Sequence, residues 1–294
     1  VTWYLGEMAP FDTESTGTDV ENDRIVSATV ARIRPGQPVD VHSHLISVDV
    51  AIPQAATDVH GITTEHAQAN GQPAAVVLDL VAGALADAML ADVAVVGSNL
   101  AFDFTLLDRD CRRHGVPTVQ QRLGRPLGPV VDVFVIDKAL DRYRPGKRQL
   151  DALCRQYGVR LDGAHDAEND ALGAARVAYR IGQRAQQALV APQDVMDTYS
   201  DRRYPDRIVR GFQEFGKLTL AEVHAGQVGW YAEQAEGLAQ YWRRQANELE
   251  YQSSRASDDA ERATALADAE DLRRRADGVT TDWPIRPYGE RVQP

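Results

Sequence analysis

Asp12 and Glu14 stand two residues apart in the tract FDTESTG at 11–17. If residues 3–12 run as a strand, positions i and i+2 share one face and the two carboxylates point the same way. Adjacent like charges repel unless a cation lies between them. Carboxylate oxygens suit hard divalent ions such as Mg2+ or Mn2+. A solvated acidic turn into Thr16-Gly17 is the competing reading. Another acid, Asp103, lies in SNLAFDFTLLD at 98–108, after Asn99 and between Phe102 and Phe104. In such apolar surroundings an acid needs a partner or a metal, or else it stabilises a helix N-terminus through the dipole. The third group is GAHDAENDALGAA at 163–175. His165 and Asp170 are five apart, about 140° around an ideal helix, so one continuous helix separates them. A helix that begins after His165 leaves the ring on the preceding loop, within reach of Asp170. A histidine near neutral pH beside metal-binding carboxylates can serve as the base that activates water. The alternative is an exposed loop histidine followed by Asp166, Glu168 and Asp170 as first-turn helix acids.

The surrounding pattern must place these residues. Residues 25–34 are rich in Ile and Val and end at Pro35-Gly36, which predicts a strand, with 39–48 as its hairpin partner. Val77, Leu80, Val81, Ala84, Leu85 and Ala88 recur at helical spacing, which predicts a helix over 74–91. VAVVGS at 93–98 reads as a buried strand, 102–114 as a helix, and GPVVDVFVI at 128–136 as a strand running into a helix. Helices are expected over 147–157 and 166–190. Strands alternating with helices give an α/β class with a mixed sheet covered by helices. Pro192, Pro205, Gly211 and Gly216 make 191–216 a candidate connecting segment. From 217 to about 277 the pattern is helical, with a stripe of His224, Val228, Tyr231, Ala235, Leu238, Trp242, Ala246 and Leu249 and a break near Ser253–Asp259. The expected domains are 1–190, the segment 191–216 and a helical region 217–294.

Hydrophobic residues make up 44% of the 294 and charged residues 26%, enough apolar material for a packed core. Lys+Arg number 32 against 43 Asp+Glu, a net charge of −11. So acidic a chain is a poor general coat for nucleic acid and needs metal ions or a local basic strip to approach phosphates. Cys111 and Cys154 are its two cysteines, which excludes a disulfide scaffold and a cysteine-rich zinc site. No run of 18 apolar residues and no signal peptide is read, so a cytoplasmic location without membrane attachment is expected.

Taken together and in order, D-x-E (Asp12, Glu14), N-x-x-F-D (Asn99, Phe102, Asp103) and H-x-A-x-x-D (His165, Ala167, Asp170) resemble the DEDDh family of 3′–5′ exonucleases, which contains the proofreading epsilon subunit of bacterial DNA polymerase III. V-H-G-I-T at 59–63 matches a loop near the substrate in that family, and VVDVFVI at 130–136 and LDALCRQYGV at 150–159 match its later strand and helix. The resemblance covers about residues 5–185, and the whole chain is also similar to exonuclease proteins of actinobacteria and their phages. It implies a ribonuclease-H-like fold with a five-stranded mixed sheet flanked by helices. It implies two divalent ions, Mg2+ or Mn2+, held by Asp12, Glu14, Asp103 and Asp170, with Asp12 bridging both, and His165 as general base. Thr13, Ser15, Thr16, His60, Ile62, Asn99 and Phe102 are implied to contact the terminal nucleotide. Ser15 stands where the family often has Thr. The implied reaction releases nucleoside 5′-monophosphates from the 3′ end of DNA, single-stranded or frayed, as in proofreading or repair. RNA or short oligonucleotides are the alternative substrates.

Lys138, Arg142, Arg144, Lys147 and Arg148 form a basic cluster that is either a solvated surface or a grip on the backbone upstream of the 3′ end. His42 and His44 share a strand face, but no third ligand is close in sequence. Trp230, Tyr231, Tyr241 and Trp242 either pack or stack on bases. A reading of another class makes the helices at 217–277 the contact with a polymerase or other replication partner, or with a second copy of the chain.

Overall fold

The computed structural model describes residues 2–161, 166–256 and 258–289. In chain order its elements are β1 (Met8–Ser15), β2 (Ile25–Arg32), β3 (Asp40–Ser47), α1 (Gln54–His60), α2 (Thr64–Asn70), β4 (Gln72–Pro73), α3 (Ala74–Leu90), β5 (Ala94–Gly97), α4 (Leu100–Arg113), α5 (Val119–Leu123), β6 (Val130–Asp132), α6 (Val133–Leu140), α7 (Leu150–Tyr157), α8 (Ala167–Val190), α9 (Pro192–Thr198), α10 (Pro205–Phe215), α11 (Leu220–Arg255) and α12 (Asp259–Asp277). The sheet runs β4-β3-β2-β1-β5-β6. β1, β2 and β3 are antiparallel, while β5 and β6 join β1 in parallel and β4 joins β3 in parallel. The mixed sheet expected from the sequence is present, and the two-residue β4 adds a sixth strand.

Alternation along β1 sorts the chemistry. Phe11 packs on Phe104 of α4, with ring centroids 5.5 Å apart. Asp12 and Glu14 point to the other face, where α8 carries Asp170. In the register Asp12 lies opposite Thr29, which lies opposite Ser43. α8 turns small residues to its buried side, among them Ala171, Ala174, Ala175, Ala178 and Gly182, and so approaches closely. A Cβ on Gly182 would run into the Tyr4 ring.

The turn from β5 into α4 needs a glycine for space. A Cβ on Gly97 would lie 2.7 Å from the Phe11 carbonyl oxygen. Behind it, buried Asp110 accepts from Ile25 N at 2.7 Å, and Arg109 grips Glu21 at 3.0 Å, tying the 16–24 loop to α4.

Several sequence expectations change. The strand with Asp12 begins at Met8, after a short 3-10 turn at Trp3–Leu5, rather than at residue 3. In α3 the buried line is Val77, Leu78, Val81, Ala82, Leu85, Ala86, Ala88 and Met89, so Leu80 of the expected stripe is exposed. The run 128–136 is, as expected, a strand passing into a helix, with β6 three residues long because the Asp132 side chain caps α6. Residues 191–216, read as a connecting segment, form α9 and α10, and Ile208, Val209, Phe212 and Phe215 are buried. Their prolines sit in the first turn, where a missing N–H costs nothing, and so start helices rather than break them.

The chain forms two compact units, residues 1–227 and 228–294. The first turns of α11 belong to the first unit and cover the open edge of β6. His224 Nδ1 accepts from Val130 N at 3.2 Å, and Gln227 Oε1 accepts from Asp132 N at 2.7 Å while its amide donates to Val130 O at 2.8 Å. Side chains thus satisfy an edge that would otherwise expose unpaired backbone groups. The second unit pairs the rest of α11, which ends at Arg255, with α12, which begins at Asp259. Arg273 pairs with Glu250 and Asn247, and Arg243 with Asp277. Ala235, Ala239 and Ala246 are buried, whereas Val228 and Leu238 of the expected stripe are exposed. No helix among the described residues is long and apolar enough to cross a membrane.

Candidate active site

Asp12 and Glu14 on β1 meet Asp170 in the first turn of α8. One carboxylate oxygen from each lies within 4.8 Å of the others. Among the described residues this is the one group of three His, Cys, Asp or Glu side chains close enough to share an ion. Asp103, in the first turn of α4, stands beside it. Its Oδ1 accepts from the Thr13 backbone N–H at 3.1 Å and from the Thr13 hydroxyl at 2.6 Å, which holds the carboxylate at the edge of the cluster.

Burial and mutual repulsion hold these acids toward their neutral forms. Asp12 is pushed well above the usual carboxylate range by burial first, then by the charges of Asp103, Asp170, Glu14 and Asp166. Glu14 is pushed up to about 7 by burial, then by Asp170, Asp103 and Asp166. Asp103 also rises to about 7, with burial outweighing the Thr13 hydrogen bonds that favour its charged form. Four crowded carboxylates that offer oxygen ligands only, three of them, Asp12, Glu14 and Asp103, destabilised as anions, match the donor chemistry of hard divalent cations. The residues present therefore fit Mg2+ or Mn2+.

The flanking residues divide by availability. Asn99, exposed at the start of α4, has φ +68°, a left-handed conformation that asparagine tolerates better than most residues. Phe102 and Ile62 are half-buried. His60 packs toward β1, with Nε2 3.3 Å from Ser15 O, and its Nδ1 accepts from Ile62 N at 3.1 Å. Three hydroxyls expected at the substrate are already engaged. Thr13 donates to Asp103, Ser15 donates to Gly17 O at 2.7 Å, and Thr16, 4% exposed, donates to Asp23 at 2.7 Å and accepts from Arg24 N at 3.0 Å. These residues shape the turn after β1 and hold Asp103. His165 lies outside the described residues. His42 and His44 stand on β3 with Asp40 as the partner of His42, and no third metal-ligating side chain joins them among the described residues.

The basic cluster separates likewise. Arg144 and Arg148 both pair with buried Asp137, which also accepts from the Tyr157 hydroxyl at 3.0 Å. Their side chains are only 6% and 10% exposed, so they brace the 141–149 loop. Lys147 remains exposed and lines a cleft of about 570 Å3 next to Asp12 and Asp170.

One positioning residue escaped the sequence reading. Asp132, fully buried at the end of β6, accepts from Asn99 N at 2.9 Å, Leu100 N at 2.8 Å and Phe134 N at 3.0 Å. It thereby fixes the left-handed Asn99 and the start of the helix that carries Asp103. The signal was a lone acid inside VVDVFVI. Asp132→Ala leaves three backbone donors, Leu100 N buried among them, without this acceptor, and a loss of about 2–4 kcal/mol is expected. Urea unfolding checks it, and a loss below about 1 kcal/mol would mean that Asp132 does not hold the turn.

Comparison with known proteins gives a consistent result. The family model described as exonuclease, of the RNase T type, matches residues 10–178. A PolC-type DNA polymerase III from Lacticaseibacillus paracasei is 24% identical over 179 residues, which is 61% of this chain and 11% of that protein. The PolC-type DNA polymerase III of Latilactobacillus sakei is 22% identical over 246 residues, 81% of this chain and 15% of that protein. The chain thus spans a small part of the curated relatives it matches. Among solved structures, E. coli exonuclease I in complex with a dT13 oligonucleotide has a TM-score of 0.50 at 17% identity, covering 66% of this chain and 44% of that one. The zinc-bound form of the E. coli exonuclease I complex with single-stranded DNA reaches 0.52 at 19% identity, covering 66% and 43%. At these identities the likeness is one of fold, a mixed sheet flanked by helices.

Proposed function

Because this chain belongs to the exonuclease family, as a nuclease of the 3′–5′ type, we propose that it hydrolyses DNA from the 3′ end, single-stranded or frayed, and releases nucleoside 5′-monophosphates. The observation that carries this reading is the convergence of Asp12, Glu14 and Asp170 within 4.8 Å, with Asp103 beside them. Those four carboxylates would hold two divalent ions, Mg2+ or Mn2+, whose chemistry when bound is Lewis-acid stabilisation of the attacking and leaving oxygens. His165 takes the proton from the attacking water as general base. Thr13 keeps Asp103 turned to the cluster. His60, Ile62, Asn99 and Phe102 hold the terminal nucleotide, and Thr13, Ser15 and Thr16 contribute through the turn they build.

A denaturing-gel time course tests this, with 5′-labelled single-stranded DNA and RNA of matched sequence, Mg2+ or Mn2+, and an EDTA control. The expected result is a metal-dependent ladder shortening from the 3′ end, faster on DNA. A faster RNA ladder would make the protein an exoribonuclease or a short-oligonucleotide nuclease. No ladder on either strand with folded protein would favour a different class of function. Exposed Val228, Leu238 and Tyr241 on α11 support that second reading, in which the helical unit docks a replication protein or a second copy of the chain.

A further inference from the structure

We propose that the cleft beside the acid cluster holds the nucleotide on the 5′ side of the scissile bond, and that Lys147 binds its phosphate. This rests on the exonuclease reading above and assigns a second subsite to it. The acid cluster has two flanks. On one, His60 lies against Ser15 O and accepts from Ile62 N. The other is the cleft, which is lined by Asp12 and Asp170 and by none of Ser15, His60 and Ile62; Asn99 lines it too and so stands where the two nucleotides join. A strand whose last phosphodiester lies at the acid cluster must occupy both flanks. With its terminal nucleotide on the first, its preceding nucleotide enters the second.

The cleft is suited to that nucleotide. Its volume of about 570 Å3 accommodates a mononucleotide unit. Phe134 and Leu150 give an apolar wall for the base or sugar, and exposed Asn99 adds a polar group to the lining. The divalent ions that the acids would hold serve the scissile phosphate, so the next phosphate upstream needs a cation of its own that is not already spent. Two basic side chains line the cleft. Arg148 donates to Asp137 and to the carbonyl oxygens of Asp141 and Arg142. The remaining acid of the wall, Asp151, pairs with Arg155 at 2.9 Å. The Lys147 ammonium makes no hydrogen bond or ion pair among the described residues, while its carbonyl is fixed by Arg144 at 3.3 Å. The Asp137–Arg144–Arg148 network thus consumes two cations to brace a loop that presents the third. In a chain of net charge −11, one well-placed cation matters more than it would on a basic surface.

The test compares wild type, Lys147→Ala and Lys147→Arg. Binding of a fluorescent oligothymidylate is measured by anisotropy in calcium over a salt series, and kcat/KM in magnesium for the same oligonucleotide and for thymidine 5′-monophosphate p-nitrophenyl ester. The ester carries the scissile phosphate but no nucleotide upstream of it. In Lys147→Ala, oligonucleotide affinity is expected to fall about tenfold and the salt slope to flatten by about 0.7, the share of one single-strand phosphate contact. Oligonucleotide kcat/KM falls about tenfold more than ester kcat/KM, and Lys147→Arg restores most of both losses. An unchanged salt slope, or equal loss on both substrates, overturns the subsite. Wild-type protein that binds the oligonucleotide but cleaves neither substrate overturns the nuclease reading instead, and the salt slope still reports on Lys147.

Discussion

Asp12→Asn is expected to abolish metal-dependent cleavage and yet to fold at least as well as wild type without metal. Asp12 is the most crowded acid of the cluster, pressed by burial and by Asp103, Asp170, Glu14 and Asp166. An amide of the same shape keeps the strand geometry but withdraws the negative charge that makes the site attractive to cations. Losing one carboxylate shared by the metal site costs several kcal/mol of transition-state stabilisation, at least about a thousandfold in rate. The same change relieves repulsion among the remaining acids, so the metal-free melting temperature at pH 8 should rise. Both effects have one cause and opposite signs, which separates a site residue from a merely structural one. Cleavage within about tenfold of wild type would remove Asp12 from the machinery. Lost cleavage together with a lower melting temperature would point to damage of β1 instead.

The acids of this site were legible because their signals are local. Asp12 and Glu14 share a face by strand alternation, and Asp103 and Asp170 each open a helix that follows an identifiable break. Residue type and short spacing carry that information without knowledge of the fold. What stayed hidden depends on partners far away in the chain. Asp132 looks like an interruption of an apolar run until Asn99, 33 residues earlier, is seen to donate to it. Gln227 looks like part of a polar helix until β6 is known to be an edge strand 95 residues away. Thr13, Ser15 and Thr16 looked available because a sequence does not show which hydroxyls are already bonded. The basic run 138–148 looked uniform, and only Asp137, buried beneath it, distinguishes the bracing Arg144 and Arg148 from exposed Lys147. The prolines of 191–216 were read as breaks because a proline that starts a helix and one that ends it differ only in where the next buried residues fall.

The strongest solution property expected of this site is a coupling between pH, metal and stability. Glu14 and Asp103 titrate near 7 in the folded metal-free protein, and Asp12 is raised as well, whereas free carboxylates titrate near 4. Between these values the folded state holds protons that the unfolded chain has released. A raised folded value contributes stability that is fully present below about pH 4 and is lost as pH climbs toward and through 7. In EDTA the melting temperature should therefore fall between about pH 4.5 and 7.5, by roughly 5 °C or more if one to two protons are involved. Divalent metal reverses the trend, since it binds the ionised cluster and competes with those protons. Mg2+ or Mn2+ at millimolar concentration should raise the melting temperature strongly at pH 8 and little at pH 5. Other carboxylates of this acidic chain add their own pH dependence, so the decisive quantity is the difference between wild type and Glu14→Gln. That variant should show a shallower decline in EDTA and a smaller gain with metal, because one of the proton-holding ligands is gone. Calorimetric scans of both proteins from pH 4.5 to 8.5, with and without metal, measure it. Parallel curves for the two proteins would mean that Glu14 neither holds a proton in the folded state nor takes part in binding the ion.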